Sequence, residues 1–193
     1  MTVCLLLAAG SSSRIGKPKM LLSFNGKTLL QHAIDEVNKL KHCKLLVVTG
    51  CYHSLLKEIL VQQQIDFIEN QHWEEGMGSS IQKGITHIMQ QYSNADSVII
   101  LVCDQPHISS SLLQELIQVK QQTNKGIIAA AYNDTTGTPV LFDKKYFEQL
   151  ALLNVQYGAK KLLQQFKDDV AKLPFALGAV DIDTKEDYEN LKQ

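Results

Sequence analysis

Apolar positions along the chain follow two rhythms that alternate. Val3–Ala8 is a short unbroken apolar run, the pattern of a strand buried on both faces. Beyond a stretch rich in glycine and serine, Leu29, Leu30, Ala33, Ile34, Val37 and Leu40 recur at helical spacing and predict an amphipathic helix. Thr28 and Gln31 at its start make a capping-box pair. Leu45–Thr49 predicts a second buried strand, Ser54–Val61 a helix and Asp66–Glu69 a third strand. Met77–Tyr92 is helical in pattern, with Ile81, Ile85, Ile88 and Met89 on one side. Val98–Val102 is the most apolar strand, followed by a helix over Leu112–Val119 and a strand over Ile127–Tyr132. After that the rhythm loosens. Pro139–Phe142 predicts a short strand, Lys144–Leu150 and Lys160–Phe166 two helices, and Val180–Asp183 a last extended piece. Thr184 and Asp187 then mark the capped start of a C-terminal helix.

Strands that alternate with helices imply an α/β fold with a mostly parallel sheet covered on both faces. No repeat, low-complexity tract or linker interrupts the 193 residues, so a single domain is expected. In such sheets ligands bind on the loops beyond the carboxyl ends of the strands.

Composition narrows the classes. Nineteen basic and twenty acidic side chains leave a net charge of −1, without the basic excess of a nucleic-acid binder. No apolar run reaches the length of a membrane span. The run at Val3 lacks the charged flank and cleavage site of a signal peptide, so a cytoplasmic location is expected. Cys4, Cys43, Cys51 and Cys103 form no C-x-x-C pair, and the histidines lack zinc-ligand spacing.

The richest chemistry follows the first strand. Ala8-Ala9-Gly10-Ser11-Ser12-Ser13-Arg14-Ile15-Gly16-Lys17-Pro18-Lys19 combines glycines that let amides converge with two cations suited to phosphate. Arg14 can grip phosphate bidentately and Lys19 acts as a mobile point charge. A polar turn with solvated basic residues is the plain alternative. Gly26-Lys27-Thr28 mimics the end of a Walker A loop, but Leu21 stands where that motif needs glycine. The Gly10–Gly16 spacing does not fit a dinucleotide G-x-G-x-x-G either.

This loop reads L-A-A-G-x-S-x-R-x-G-x-x-K and resembles the signature of the Rossmann-like nucleotidyltransferase superfamily. Within it the resemblance is to the molybdenum cofactor cytidylyltransferase and guanylyltransferase branch. Leu7-Ala8-Ala9-Gly10 is closer to the cytidylyl form than to L-A-G-G of the guanylyl form. The resemblance implies a three-layer Rossmann-like sandwich with a small C-terminal elaboration. It implies a nucleotide-binding part over about 1–107 and an acceptor-side part over about 108–193. It also implies that Ala8, Ala9, Gly10, Ser11, Arg14, Gly16 and Lys19 surround a triphosphate, with Lys19, Arg14 and Asp104 catalytic and Mg²⁺ as cofactor.

Asp104 closes the strand Val98–Val102 ahead of Gln105 and Pro106, where a side chain enters the ligand crevice. Mg²⁺ takes one or two carboxylates together with phosphate oxygens and water; an ordinary strand exit is the alternative. Asp181 and Asp183 share one side of an extended piece, and Asp183 is also placed to complement a helix dipole. Asp181-Ile182-Asp183-Thr184-Lys185-Glu186-Asp187-Tyr188 resembles the family ending D-I-D-T-P-E-D-Y, which assigns Asp183 to the metal beside Asp104.

Asn70-Gln71-His72-Trp73-Glu74-Glu75-Gly76-Met77-Gly78-Ser79-Ser80 resembles the family segment near the base, implying nucleotide contacts from Asn70, Gly76 and Ser80. A helix start with capping serines and a packed Trp73 is the alternative. Gly137-Thr138-Pro139 resembles the acceptor-side G-x-P segment, with threonine where histidine is usual. Val155–Lys160 keeps Gly158 and Ala159 of G-D-x-G-A-R but has lysine for arginine. Gly137, Pro139, Gly158 and Lys160 are therefore the implied acceptor contacts, and the departures fall on the acceptor side.

The expected activity is transfer of a nucleoside monophosphate, CMP favoured, from a nucleoside triphosphate to a phosphorylated acceptor, with pyrophosphate released. The resemblance implies a molybdopterin-type acceptor and a recipient molybdoenzyme as partner. No nucleic acid or membrane partner is expected. A sugar or polyol phosphate acceptor, or a nucleotide-binding regulator or cofactor chaperone without turnover, are the alternatives.

Overall fold

Strand β1 (Thr2–Ala8) is apolar on both faces because it lies at the centre of the sheet, and every residue in it is buried. Its neighbours are β4 (Cys43–Thr49) and β6 (Ser97–Val102), both parallel to it. The computed structural model describes residues 1–155 and 158–191. Among them the main sheet has seven strands in the order β5-β4-β1-β6-β8-β7-β9, with β5 at Asp66–Glu69, β7 at Ile127–Tyr132, β8 at Thr135–Asp143 and β9 at Val170–Pro174. Only β8 runs against the rest, pairing antiparallel with β6 on one side and β7 on the other.

The alternation of side chains along β1 divides the core in two. Cys4, Leu6 and Ala8 face α1 (Leu29–Asn38), α2 (His53–Gln62) and α4 (Ser110–Thr123). Val3, Leu5 and Leu7 face α3 (Met77–Gln91), α5 (Phe147–Ala151) and α6 (Lys160–Gln165). This is the three-layer Rossmann-like sandwich that the alternating rhythm and the resemblance led one to expect. No helix among the described residues is long and apolar enough to cross a membrane.

Local signals account for several boundaries. The Thr28 hydroxyl accepts from the Gln31 amide at 3.1 Å and starts α1. The Gln31 side chain donates to Asp35 instead of returning to Thr28, so only half of the expected capping box forms. On the other face α3 lies so close to β1 that a Cβ on Gly84 would meet Leu5 Cδ1 at 2.5 Å.

Four features were not expected from the pattern. Asn25 and Gly26, both at positive φ, turn a small hairpin of β2 (Ser23–Phe24) and β3 (Lys27–Thr28) that is too short to show a rhythm. Strand β9 reads Val-Ala-Lys-Leu-Pro, and only its Leu173 is buried, so the edge strand carries little apolar signal. Strand β8 begins at Thr135, and its pairing jumps from Val140 to Gly137, leaving Thr138 and Pro139 in a bulge. Val180–Asp183 joins no strand; a 3₁₀ turn over Ala176–Ala179 precedes it, and its Ile182 amide donates to the Asp104 carbonyl at 3.0 Å. The predicted helix over Lys144–Leu150 is a 3₁₀ turn, Lys144–Tyr146, running into α5. Gln156 and Tyr157 of the expected acceptor segment lie outside the described residues.

Candidate active site

The loop after β1 is shaped by its own backbone. Ser12, at φ 53, offers its carbonyl to the amides of Ile15 and Gly16 at 3.0 and 3.1 Å. Its hydroxyl accepts from the Lys19 amide at 3.0 Å. Gly16 takes φ 76, where a side chain is disfavoured. Ile15, 2% exposed, anchors the loop tip in a separate apolar cluster with Leu22, Leu29, Ile182 and Tyr188. The carbonyls of Ala9 and Ser11 are taken up by the Cys51 amide at 3.0 Å and the Tyr52 hydroxyl at 2.8 Å. Gly10 borders open space, with nothing within 4 Å of where a Cβ would stand.

Two carboxylates converge on the lysine of this loop. Lys19 Nζ lies 2.8 Å from Asp104 Oδ2 and 2.8 Å from Asp183 Oδ1. Burial alone would push the Lys19 ammonium down, but Asp104 and Asp183 outweigh it and hold it above the usual lysine value. The bond from Ile182 to the Asp104 carbonyl delivers Asp183 across 79 residues of chain, from position 104 to 183. Helix capping falls to other groups: Asp187 accepts from the Asp183 and Thr184 amides at 3.1 and 2.7 Å, and the Thr184 hydroxyl accepts from the Asp187 amide at 3.1 Å. These caps start α7 (Lys185–Leu191), and the Asp183 side chain is left to face the lysine. Asp181 also lines the cleft, and its carboxyl is pushed up by burial first and then by Asp183 and Asp104.

These groups border a cleft of about 680 Å³ at the carboxyl edge of the sheet. Of the residues expected around a triphosphate, Ala8, Ala9, Gly10, Ser11 and Lys19 line it. Arg14 and Gly16 do not; the Arg14 side chain is 73% exposed and reaches Asp183 Oδ2 at 3.3 Å from the rim. Gly76, at φ 111, and Ser80 line the cleft with Trp73 and Met77. Asn70 stands behind it: its amide donates to the hydroxyls of Ser79 and Ser80 at 2.8 and 3.0 Å, and its carbonyl holds the His72 amide. Asn70 therefore positions the start of α3 and takes no part in the cleft wall.

On the acceptor side the structure separates the expected set. Gly137 and Pro139 flank Thr138, and Thr138 alone of the three lines the cleft. Gly158, at φ 53, and the exposed Lys160 lie away from it. Their places are taken by Tyr132, Asn133 and Thr135 of the β7–β8 turn and by Gly178 and Ala179. Sequence analysis did not find these. The adjacent pair Asn133-Asp134, turn-favouring residues that here take positive φ, was the available sign of a tight hairpin.

Taken together, these features define a class: an α/β protein with a cleft at the carboxyl edge of its sheet, where a loop lysine meets two carboxylates. Residues 4–170 match the MobA-like NTP transferase domain, and the chain belongs to that family. Among curated proteins it is similar to the bifunctional protein GlmU of Francisella philomiragia, 29% identical over 143 residues. That match spans 73% of this chain but 30% of the relative, so the chain corresponds to under a third of that protein's length. Among solved structures, Rv0371c of Mycobacterium tuberculosis H37Rv superposes with a TM-score of 0.82 at 26% identity, covering 98% of this chain and 96% of that one. A further crystal structure of Rv0371c is a complex with manganese. Molybdopterin-guanine dinucleotide biosynthesis protein A of Archaeoglobus fulgidus shares the fold, with a TM-score of 0.73 at 16% identity over 99% of this chain and 96% of that one.

Proposed function

We propose that the chain is a Mg²⁺-dependent nucleotidyltransferase that moves a nucleoside monophosphate, CMP favoured, from a nucleoside triphosphate to the phosphate of a molybdopterin-type acceptor. The observation that carries this is the meeting of Lys19, Asp104 and Asp183 beside the glycine loop. A family whose name is MobA-like, and a fold neighbour named for molybdopterin-guanine dinucleotide biosynthesis, support the acceptor class.

The residues present fit a divalent cation. Two carboxylate oxygens already embrace one positive charge, the Lys19 ammonium. An ion that completes its shell with phosphate oxygens and water needs only one or two protein carboxylates. Asp104 and Asp183 would hold Mg²⁺, which when bound supplies neutralisation of phosphate charge.

The chain's own groups do the rest. The loop from Ala8 to Ser11 cradles the triphosphate, and Lys19 turns from the carboxylates to the α-phosphate as charge builds there. Arg14, exposed at the rim and paired there with Asp183, turns to offset charge on the leaving pyrophosphate. An acceptor phosphate oxygen attacks the α-phosphorus, the bond to the β-phosphate oxygen breaks, and pyrophosphate leaves with that electron pair. An acceptor phosphate is largely ionised near neutral pH, so no general base is needed and alignment is the main task. In this scheme residues 1–107 hold the nucleotide and 108–193 the acceptor, and a molybdoenzyme receives the product in the cytoplasm.

Incubation with Mg²⁺, CTP or GTP, and molybdopterin tests the proposal. Pyrophosphate release with CTP above GTP is expected. Release only with a sugar or polyol phosphate would move the assignment to that acceptor. Nucleotide binding without release in any mixture would make the chain a regulator or cofactor chaperone.

A further inference from the structure

Gln105, next to Asp104, is 5% exposed and lines the cleft. Its side-chain nitrogen donates to the Gly178 carbonyl at 3.0 Å and lies 3.5 Å from the Tyr132 hydroxyl. A carbonyl only accepts, so Gly178 decides which end of the amide faces it. The side-chain oxygen of Gln105 is left buried and without a hydrogen-bond partner among the described residues. A buried acceptor left unmet is costly and calls for a reason.

The surroundings are built to hold the amide in this pose. A Cβ on Gly178 would meet Tyr132 Cδ1 at 2.6 Å and Phe175 Cδ1 at 2.5 Å. A Cβ on Gly137 would meet the Tyr132 hydroxyl at 2.5 Å. Two glycines, 41 residues apart at positions 137 and 178, therefore make room for one tyrosine, and that tyrosine leans on the Gln105 amide.

Sheet order says which half of the cleft the Gln105 side chain belongs to. Strand β6, whose following turn carries Gln105, has β1 on one side and β8, then β7, on the other. The glycine loop follows β1 and the Gly76 segment follows β5, both on the first side. Both contacts of the Gln105 amide come from the second side, through Tyr132 of β7 and Gly178 beyond β9.

We propose that Gln105 is an acceptor-recognition residue, its side-chain oxygen taking a hydrogen bond from a neutral N–H or O–H group of the phosphorylated acceptor. This rests on the transferase reading above. The oxygen is buried from water, so the donor arrives as Tyr132 or the Gly178 segment gives way, or as the Gln105 side chain turns. Gly137, implied in acceptor binding by resemblance, then acts by making room for Tyr132.

The test compares wild type with Gln105→Met, which keeps the length but removes the acceptor atom, and Gln105→Glu, which keeps an acceptor oxygen. Binding is measured by calorimetry with Mg²⁺ and the non-reactive α,β-methylene analogue of CTP. Molybdopterin probes an N–H donor and glucose 1-phosphate an O–H donor. For whichever probe binds wild type, Gln105→Met is expected to weaken affinity about 10- to 100-fold while CTP-analogue affinity stays within about twofold. Gln105→Glu is expected to fall between the two. Equal loss for nucleotide and acceptor, or unchanged acceptor affinity in Gln105→Met, overturns the assignment. Pyrophosphate release is read separately: acceptor binding that depends on Gln105 without any release would sink the transferase reading and leave this one standing. Failure of both probes to bind wild type would sink this inference, whatever the release assay gives.

Discussion

At the scale of single residues, the proposed function concentrates in a few charges whose neighbours the structure names. Asp104 and Asp183 face the same ammonium, so each removal has a distinct expected outcome. Asp104→Ala is expected to cut turnover about 100- to 1000-fold, as loss of one electrostatic partner of a transition state commonly does. The far-ultraviolet circular dichroism should stay unchanged, because the buried strand β6 stops short of it. Near-normal pyrophosphate release would remove the metal assignment. Lys19→Met leaves the two carboxylates without their cation. Its melting temperature should fall in chelator and rise on adding Mg²⁺ by more than that of wild type; equal metal shifts in both proteins would argue against a shared cation position. Arg14 contrasts with these. At 73% exposure its ion pair with Asp183 contributes little to stability, so Arg14→Ala should alter kinetics and not the melting temperature. The meeting of residues in one cleft was legible from sequence wherever a motif follows a strand, as at Gly10, Lys19 and Asp104. It was not legible for Tyr132 and Gly178, which act through packing geometry that no local pattern encodes.

Elements were readable in proportion to their burial. Strands β1, β4 and β6 and helices α1 and α3 carry long apolar signals because the sheet is covered on both sides. Strand β9 and the β2–β3 hairpin carry almost none, since their pairing is backbone work at an edge. Two element-scale changes check the packing. Thr28→Ala should cost about 1 kcal/mol in urea unfolding by freeing the Gln31 amide at the start of α1. Gly84→Ala gains up to about 1 kcal/mol of helix propensity but drives a methyl into the fully buried Leu5. Overpacking of that kind costs roughly 1–3 kcal/mol, so net destabilisation is expected; a stabilised variant would mean that α3 shifts freely on β1.

For the molecule as a whole, acid stability follows from carboxylates held below their ordinary range. Burial opposes ionisation of Asp169, but Lys145 and the Tyr146 hydroxyl outweigh it. At Asp143 burial is likewise outweighed by Lys120 and the Lys145 amide. A carboxylate whose folded pKa lies below its unfolded value of about 4 contributes its stability above that value. The contribution is lost as pH falls through the folded value. Melting temperature should therefore drop steadily below about pH 4, and less steeply in Asp169→Asn; identical slopes would exclude this pair as a source of acid lability. The mostly parallel, doubly covered sheet was readable from the alternation of strands and helices; the reversal of β8 between β6 and β7 was not. The return of the segment after β9 to the front of the first loop was not, because it depends on scattered long-range contacts: the Ile182 amide on the Asp104 carbonyl, the Tyr188 hydroxyl on the Ser23 backbone, the Lys19–Asp183 pair and a small apolar cluster.

That return makes the chemistry divisible. Every strand of the main sheet ends by Pro174, whereas Asp183 rides on a later segment anchored by Ile182, Tyr188 and the Asp104 carbonyl. Severing the chain after Val180 should thus yield a folded but inert body, and a synthetic peptide spanning 181–191, supplied in excess, should dock and restore turnover in trans.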